Sequence, residues 1–285
     1  MHKIIHILPN TIPDAYLQKK AIDSDPSIEL NTGKFPHRVV FGIDDWHVIL
    51  ANIMKFKEPE IEMECWSFQE KIDKVYSKNL KEVIHKKFPA SRLNFCNLFF
   101  GHRSVSMIKE LNKLIKSEKI IVHLHGLHTH SVNAILLESN LSKVPLVITQ
   151  RGGGSPEMYW KKKVTHIPQL VIEKLLESKI DKYILQSSYE FEYYIKNRSS
   201  AKYSFLQDGL DFNAFPKLSR KESRLKLGLD QDKKYILYVG RYYKGKGVDI
   251  LIKNIKNMKL KDEKIELIFV GGYDTDELYP LVKES

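Results

Sequence analysis

Cysteine is scarce in this chain. Cys65 and Cys96 are the only two in 285 residues, both in apolar surroundings and without metal-like spacing. That excludes a disulfide-built scaffold and fits a pair of reduced thiols. No apolar run approaches the ~18 residues that cross a bilayer, and the opening Met-His-Lys-Ile-Ile-His-Ile-Leu-Pro is too short for a signal peptide. The expectation is a cytoplasmic protein. Negative charge is in deficit, with 35 Asp and Glu against 46 Lys and Arg and a net charge of +11. A partner of acidic character follows: nucleic acid, an anionic membrane face or a phosphorylated ligand. The absence of a zinc finger or an RNA-binding signature sets nucleic acid aside. The single run of three lysines, Lys161-Lys162-Lys163, reads as a solvated face or as a docking patch. What remains is ordinary globular composition, 42% apolar and 28% charged, with no internal repeat.

The most informative stretch is 235–252. Tyr235 to Val239 carries no charge and reads as a strand buried on both faces. Gly240, Gly245 and Gly247 supply a permissive turn, and Val248, Leu251, Ile252 and Ile255 then recur at helical spacing. A strand, a glycine-rich basic turn and a helix point backbone N–H groups and the positive end of the helix dipole at one place. Arg241, Lys244 and Lys246 add formal charge there, so the turn reads as a phosphate site. Gly240-x4-Gly245-Lys246 satisfies most of the Walker A pattern, yet Gly247 stands where that loop needs a hydroxyl for magnesium.

Upstream, strands alternate with helices. Strands are expected at Lys3–Leu8, Ile61–Trp66, Arg92–Phe100, Ile120–His125, Pro145–Thr149, Lys182–Gln186 and Tyr203–Leu206. Helices are expected from Asp45, capped by Asp44, then over Asn79–Phe88, Arg103–Lys116, Ser131–Glu138, Pro168–Ser178 and Ser188–Lys196. Asp44-Asp45 is a cap or, less simply, a metal pair. Residues 10–35 are rich in breakers and read as a long loop. Such alternation argues for an α/β fold with a parallel sheet covered on both faces, ligands sitting at the carboxyl ends of the strands. Residues 1–212 form the first Rossmann-like domain, 213–234 an inter-domain segment, and 235–285 the start of a second Rossmann-like domain.

Gly240-Arg241 followed by Lys246-Gly247 resembles the Gly-Arg-x4-Lys-Gly signature of GT-B retaining glycosyltransferases, the family 4-like "glycosyl transferases group 1". His123-Leu124-His125-Gly126, Thr149-Gln150-Arg151-Gly152, and Gln207-Asp208-Gly209-Leu210-Asp211 with Phe215 resemble three further motifs of that family in the family's order. Arg151 stands where many relatives have His, and Asp208 where they have Asn. The family's Glu-x7-Glu segment should lie beyond residue 285. The chain is thus expected to be part of a longer protein or a shortened, inactive product.

The resemblance implies transfer of a sugar from a nucleotide-sugar donor, without a metal or other cofactor, to a glycan or lipid-linked acceptor in polysaccharide or cell-surface glycan assembly. It implies that Arg241 and Lys246 stabilise the departing diphosphate and that Gly240, Gly245, Gly247 and Gly209 shape the donor site. His125 would line the cleft, and Arg151, Gly152 and Gly153 would serve the acceptor side. His123, His125, His128 and His130 could instead hold zinc, but alternate strand residues share a face only in pairs and no Cys or acidic ligand stands nearby. Tyr159, Trp160 and the lysines after them could touch a lipid-linked acceptor at the membrane surface, and peripheral contact with an anionic membrane is a further expected partner. A sugar-nucleotide epimerase on the same scaffold and a non-catalytic nucleotide-binding fragment are the alternatives.

Overall fold

β1, Lys3–Leu8, is apolar on both faces apart from its ends and one histidine, and it forms the axis of the larger of two units. A computed structural model describes residues 2–8, 46–70, 72–92, 102–126, 130–150, 171, 174–197, 202–207, 216–257, 265–271 and 277–283. The units are Met1–Gly209 and Leu210–Ser285.

In the first unit β1 lies between β2, Glu62–Glu70, and β6, Ile120–His125, parallel to both. β7, Leu146–Gln150, β8, Lys182–Leu185, and β9, Tyr203–Phe205, continue in parallel beyond β6. Beyond β2 comes β4, Val83–Arg92, also parallel, with β3, Tyr76–Leu80, and β5, His102–Arg103, antiparallel to it. Among the described residues the sheet has nine strands, in the order β3-β4-β2-β1-β6-β7-β8-β9 with β5 paired to β4. The expected α/β parallel sheet is present. Strand order reverses at the β1/β6 pair.

The helix expected over Asn79–Phe88 is instead the hairpin of β3 and β4, turning at Lys81, whose φ is 58°. Its pattern has period two. Val83, His85 and Lys87 are buried on one face, while Lys86 and Phe88 point to the other. Adjacent Lys86 and Lys87 hide that alternation from a hydrophobicity reading. The expected cap at Asp44, the segment 10–35, residues 93–100 and, within the helix expected over 168–178, residues 168–170 and 172–173 lie outside the described residues.

Both faces of the sheet are covered. On one, Ile5, Ile7, Trp66, Phe68, Phe88, Val122 and Leu124 pack against α2, Val105–Ser117, and α3, His130–Glu138, through Met107, Leu111, Val132 and Ile135. On the other, α1, Trp46–Lys57, lays Val48 and Ala51 over Ile4, Met63 and Cys65. α4, Ser188–Asn197, brings Tyr194 onto Tyr203, ring centroids 5.1 Å apart. Glu64 sits buried on the first face, bonded to Lys3 at 3.2 Å and Lys86 at 2.9 Å and receiving the Trp66 indole N–H at 2.8 Å. Burial alone would raise its carboxyl pKa, but the Trp66 bond and the two ammonium groups outweigh burial and hold it low. Trp66→Phe keeps most of the apolar volume but removes that donor. We expect a loss of about 1–3 kcal/mol, read from the urea midpoint at unchanged m-value; an unshifted midpoint would show that the bond adds nothing.

The second unit is small. α5, Arg220–Lys226, is followed by β10, Lys234–Val239, α6, Val248–Asn257, β11, Ile265–Val270, and α7, Tyr279–Lys283. β10 and β11 pair in parallel, residue by residue from Lys234 opposite Ile265 to Val239 opposite Val270. Arg224, itself buried, donates to the carbonyls of Asp230 and Lys233 at 3.2 and 2.9 Å and fixes the approach to β10. One face of the ladder, Tyr238 and Phe269, packs with Tyr242, Val248, Ile252 and Leu278. The expectation that β10 is buried on both faces is not met. Leu237, Val239 and Val270 are 61%, 68% and 48% exposed, because among the described residues a two-stranded ladder is covered from one side only.

Candidate active site

Among its described residues the first unit gathers five buried histidines on the α1 face of its sheet. Register does this. In a parallel ladder facing residues share a side, so His6 of β1 stands between Cys65 of β2 and His123 of β6. Cys65 in turn stands beside His85 of β4, and His125 beside Thr149 of β7. His47 arrives from the first turn of α1, its ring centroid 5.3 Å from that of His85 and 6.4 Å from that of His125. The contacts are specific. His6 Nδ1 lies 3.0 Å from His125 Nε2, His123 Nε2 lies 2.6 Å from Thr149 Oγ1, and His85 Nε2 lies 2.9 Å from Ser67 Oγ. Gly126, at φ 110°, ends β6 and donates its N–H to the Thr149 carbonyl at 2.8 Å.

Burial removes the hydration that an imidazolium needs. It drives His6 down to about 4, and burial followed by the nearby Lys87 charge drives His85 down to about 3. Both rings are therefore neutral at pH 7. His6, His123 and His125 lie in β1 and β6, at the place where strand order reverses, which is where open α/β sheets open a crevice for ligands. His125 is thus buried at this switch point. His6, His47 and His85 were not singled out from sequence; the period-two position of His6 within an apolar strand was the one local signal.

In the second unit the turn after β10 is built on glycine. Gly240, at φ 152°, donates its N–H to the Val270 carbonyl at 2.9 Å. Gly271, at φ 106°, lies against it so closely that a Cβ there would stand 2.7 Å from the Gly240 carbonyl oxygen. A Cβ on Gly245 would stand 2.5 Å from the Tyr243 ring. A single 3-10 turn, Lys244–Lys246, ends on Gly247 at φ 71°, and α6 begins with Leu251 donating to the Gly247 carbonyl at 2.9 Å. The N–H groups of residues 248–250 precede that first helical bond. Arg241, Lys244 and Lys246 are exposed around the turn, with the Arg241 guanidinium 5.5 Å from the Tyr243 ring and Lys244 Nζ 3.5 Å from Glu277. Asp249 sits in the first turn of α6. Arg241, Lys246, Gly240, Gly245 and Gly247 are brought together in one turn. Arg151, Gly152, Gly153 and Gly209 lie outside the described residues, as do Tyr159 and Trp160.

Residues 219–285 match the family model "Glycosyl transferases group 1". Among curated proteins no relative matches. An E. coli trehalose-6-phosphate structure bound with UDP-2-fluoro glucose aligns over 99% of this chain and 68% of its own, at 11% identity and a TM-score of 0.54. Anabaena HepE, solved in complex with UDP and glucose, aligns over 98% and 64%, at 14% identity and a TM-score of 0.57. An α,α-trehalose-phosphate synthase (UDP-forming) from Burkholderia vietnamiensis aligns over 99% and 67%, at 10% identity and a TM-score of 0.55. The chain therefore spans about two thirds of the length of these structures. No described helix is long and apolar enough to cross a membrane. The chain has the fold of the GT-B glycosyltransferases, and its residues 219–285 match the group 1 segment of that fold.

Proposed function

We propose that this protein transfers a sugar from a nucleotide-sugar donor, with retention, to a glycan or lipid-linked acceptor in cell-surface polysaccharide assembly. The observation that carries the reading is the turn 240–247. It sets two cationic side chains, Arg241 and Lys246, around a glycine backbone at the start of α6, inside the segment that matches the group 1 model. A departing nucleoside diphosphate gains negative charge as the sugar leaves, and preorganised cations and N–H dipoles lower that barrier most. Arg241 and Lys246 supply the charge, and the transfer needs no metal for it. Gly209 completes the donor site. His125 faces the transferred sugar, and Arg151, Gly152 and Gly153 bind the acceptor. The enzyme works in the cytoplasm, touching the anionic inner face of the membrane from its periphery; the +11 charge supports that contact.

Calorimetric titration with UDP and GDP tests the donor site. One of the two is expected to bind the wild-type chain, and Arg241→Ala to weaken it by at least about tenfold, the value of roughly 1.4 kcal/mol of lost charge-assisted bonding. A folded wild-type chain that binds neither nucleotide would overturn the reading.

A further inference from the structure

Three of the buried histidines are placed as a metal site needs them. The β1/β6 pairing brings His6 beside His123, and the parity of β6 adds His125 on the same side. One ligand nitrogen from each of the three lies within 4.8 Å of the others. The separation of 3.0 Å between His6 Nδ1 and His125 Nε2 is a hydrogen-bond length. It is also near the ~3.3 Å edge expected for two nitrogens held tetrahedrally at zinc–nitrogen distances of about 2.0–2.1 Å. The sequence alone paired His123 only with His125; the third nitrogen comes from a strand more than a hundred residues away in the chain.

One further observation points the same way. His123 Nε2 is held by the Thr149 hydroxyl at 2.6 Å, the kind of outer contact that fixes the orientation of a ligating imidazole. Three imidazoles without a carboxylate or thiolate among them suit zinc or a neighbouring borderline ion over calcium or magnesium.

We propose that His6, His123 and His125 bind a divalent transition ion, zinc in the first instance, inside the first unit. This ion takes no part in the phosphate chemistry assigned to Arg241 and Lys246. On the reading above, which this one consequence rests on, a ligated His125 no longer serves the sugar, so zinc occupancy and transfer exclude each other.

The test reads binding and needs no activity. The chelator-stripped full chain is titrated with Co²⁺ and followed by its visible absorption, then back-titrated with Zn²⁺. One Co²⁺ per chain, displaced by Zn²⁺, is expected. His6→Ala and His123→Ala should each weaken it at least tenfold, while His85→Gln, on the same face but outside the trio, should not. Extended X-ray absorption of the zinc-loaded wild type covers the case in which a variant fails to fold: nitrogen ligands at about 2.0–2.1 Å with imidazole scattering are expected. No stoichiometric uptake by a folded chain overturns the site, as does uptake that survives both alanine variants or an ion ligated by oxygen or sulfur. Nucleotide titration of the same metal-free chain separates this failure from failure of the donor site.

Discussion

Taking the protein from pH 7 to pH 4 is expected to remove about 3 kcal/mol of folding stability through His85 alone. The ring is fully buried between Ser67 and the His47 ring, and the proton it would take at 6.5 in the unfolded chain is refused in the fold until about 3. Burial is the main cause and the Lys87 ammonium the second. The sign follows from which state binds the proton. Above 6.5 both states leave His85 neutral and no penalty exists. Between 6.5 and 3 the unfolded chain is protonated and the folded chain is not, so acid pulls the equilibrium toward unfolding, at up to about 1.4 kcal/mol per pH unit. The groups facing His85 are Ser67 and Cys65 of β2, Lys78 of β3, Lys87 of its own strand and His47 of α1. Urea unfolding of metal-free wild type and His85→Gln at several pH values isolates the effect, because every other titrating group cancels in the difference. Parallel stability profiles would show that His85 accepts a proton in the fold as readily as outside it.

Gly271→Ala is expected to cost about 2–4 kcal/mol in the second unit and to weaken nucleotide binding with it. Two costs combine. A φ of 106° is open to glycine and strained for alanine. The new Cβ would also meet the Gly240 carbonyl oxygen at 2.7 Å, an atom of the main chain that cannot swing aside as a side chain could. Relief requires β10 and β11 to part at their carboxyl ends, where Gly240 N–H now donates to Val270. The turn carrying Arg241 and Lys246 starts from that point. Alanine at Gly126 makes a useful contrast: its φ is 110°, but nothing lies within 4 Å of the added atom, so the backbone cost stands alone. Thermal unfolding and UDP or GDP titration of Gly271→Ala should both change; an unchanged melting profile would mean that the two glycines do not constrain each other.

Local signals were legible wherever the information was local. Val248, Leu251 and Ile252 announced α6, and Gly240 and Gly247 announced a turn that positive φ values do occupy. The strand Ile120–His125 was readable to the residue. The hairpin of 76–92 was not, because its turn residue is Lys81 in place of glycine and because two adjacent lysines fall on opposite faces. Lys87 is buried nonetheless. Burial of β10 was overestimated for another reason: an uncharged strand announces what it could bury, and only neighbouring elements decide what it does. The histidine set was beyond reach of spacing altogether. His6 meets His123 only because strand order reverses beside β1, a fact of topology carried by no single segment.

The back-to-back glycines also tie ligand and fold into one thermodynamic cycle. Gly240 belongs to the proposed phosphate turn, and its N–H at the same time joins the end of β10 to Val270 of β11. On the proposed reading a diphosphate gripped by residues 240–247 holds the ladder closed, and by linkage its binding energy is added to the stability of the unit. At a hundredfold excess over its dissociation constant that gain is about 2.7 kcal/mol, similar to what Gly271→Ala takes away. Among the described residues Leu237, Val239 and Val270 are uncovered, so on the proposed reading nucleotide becomes an element of the unit's architecture as well as its ligand.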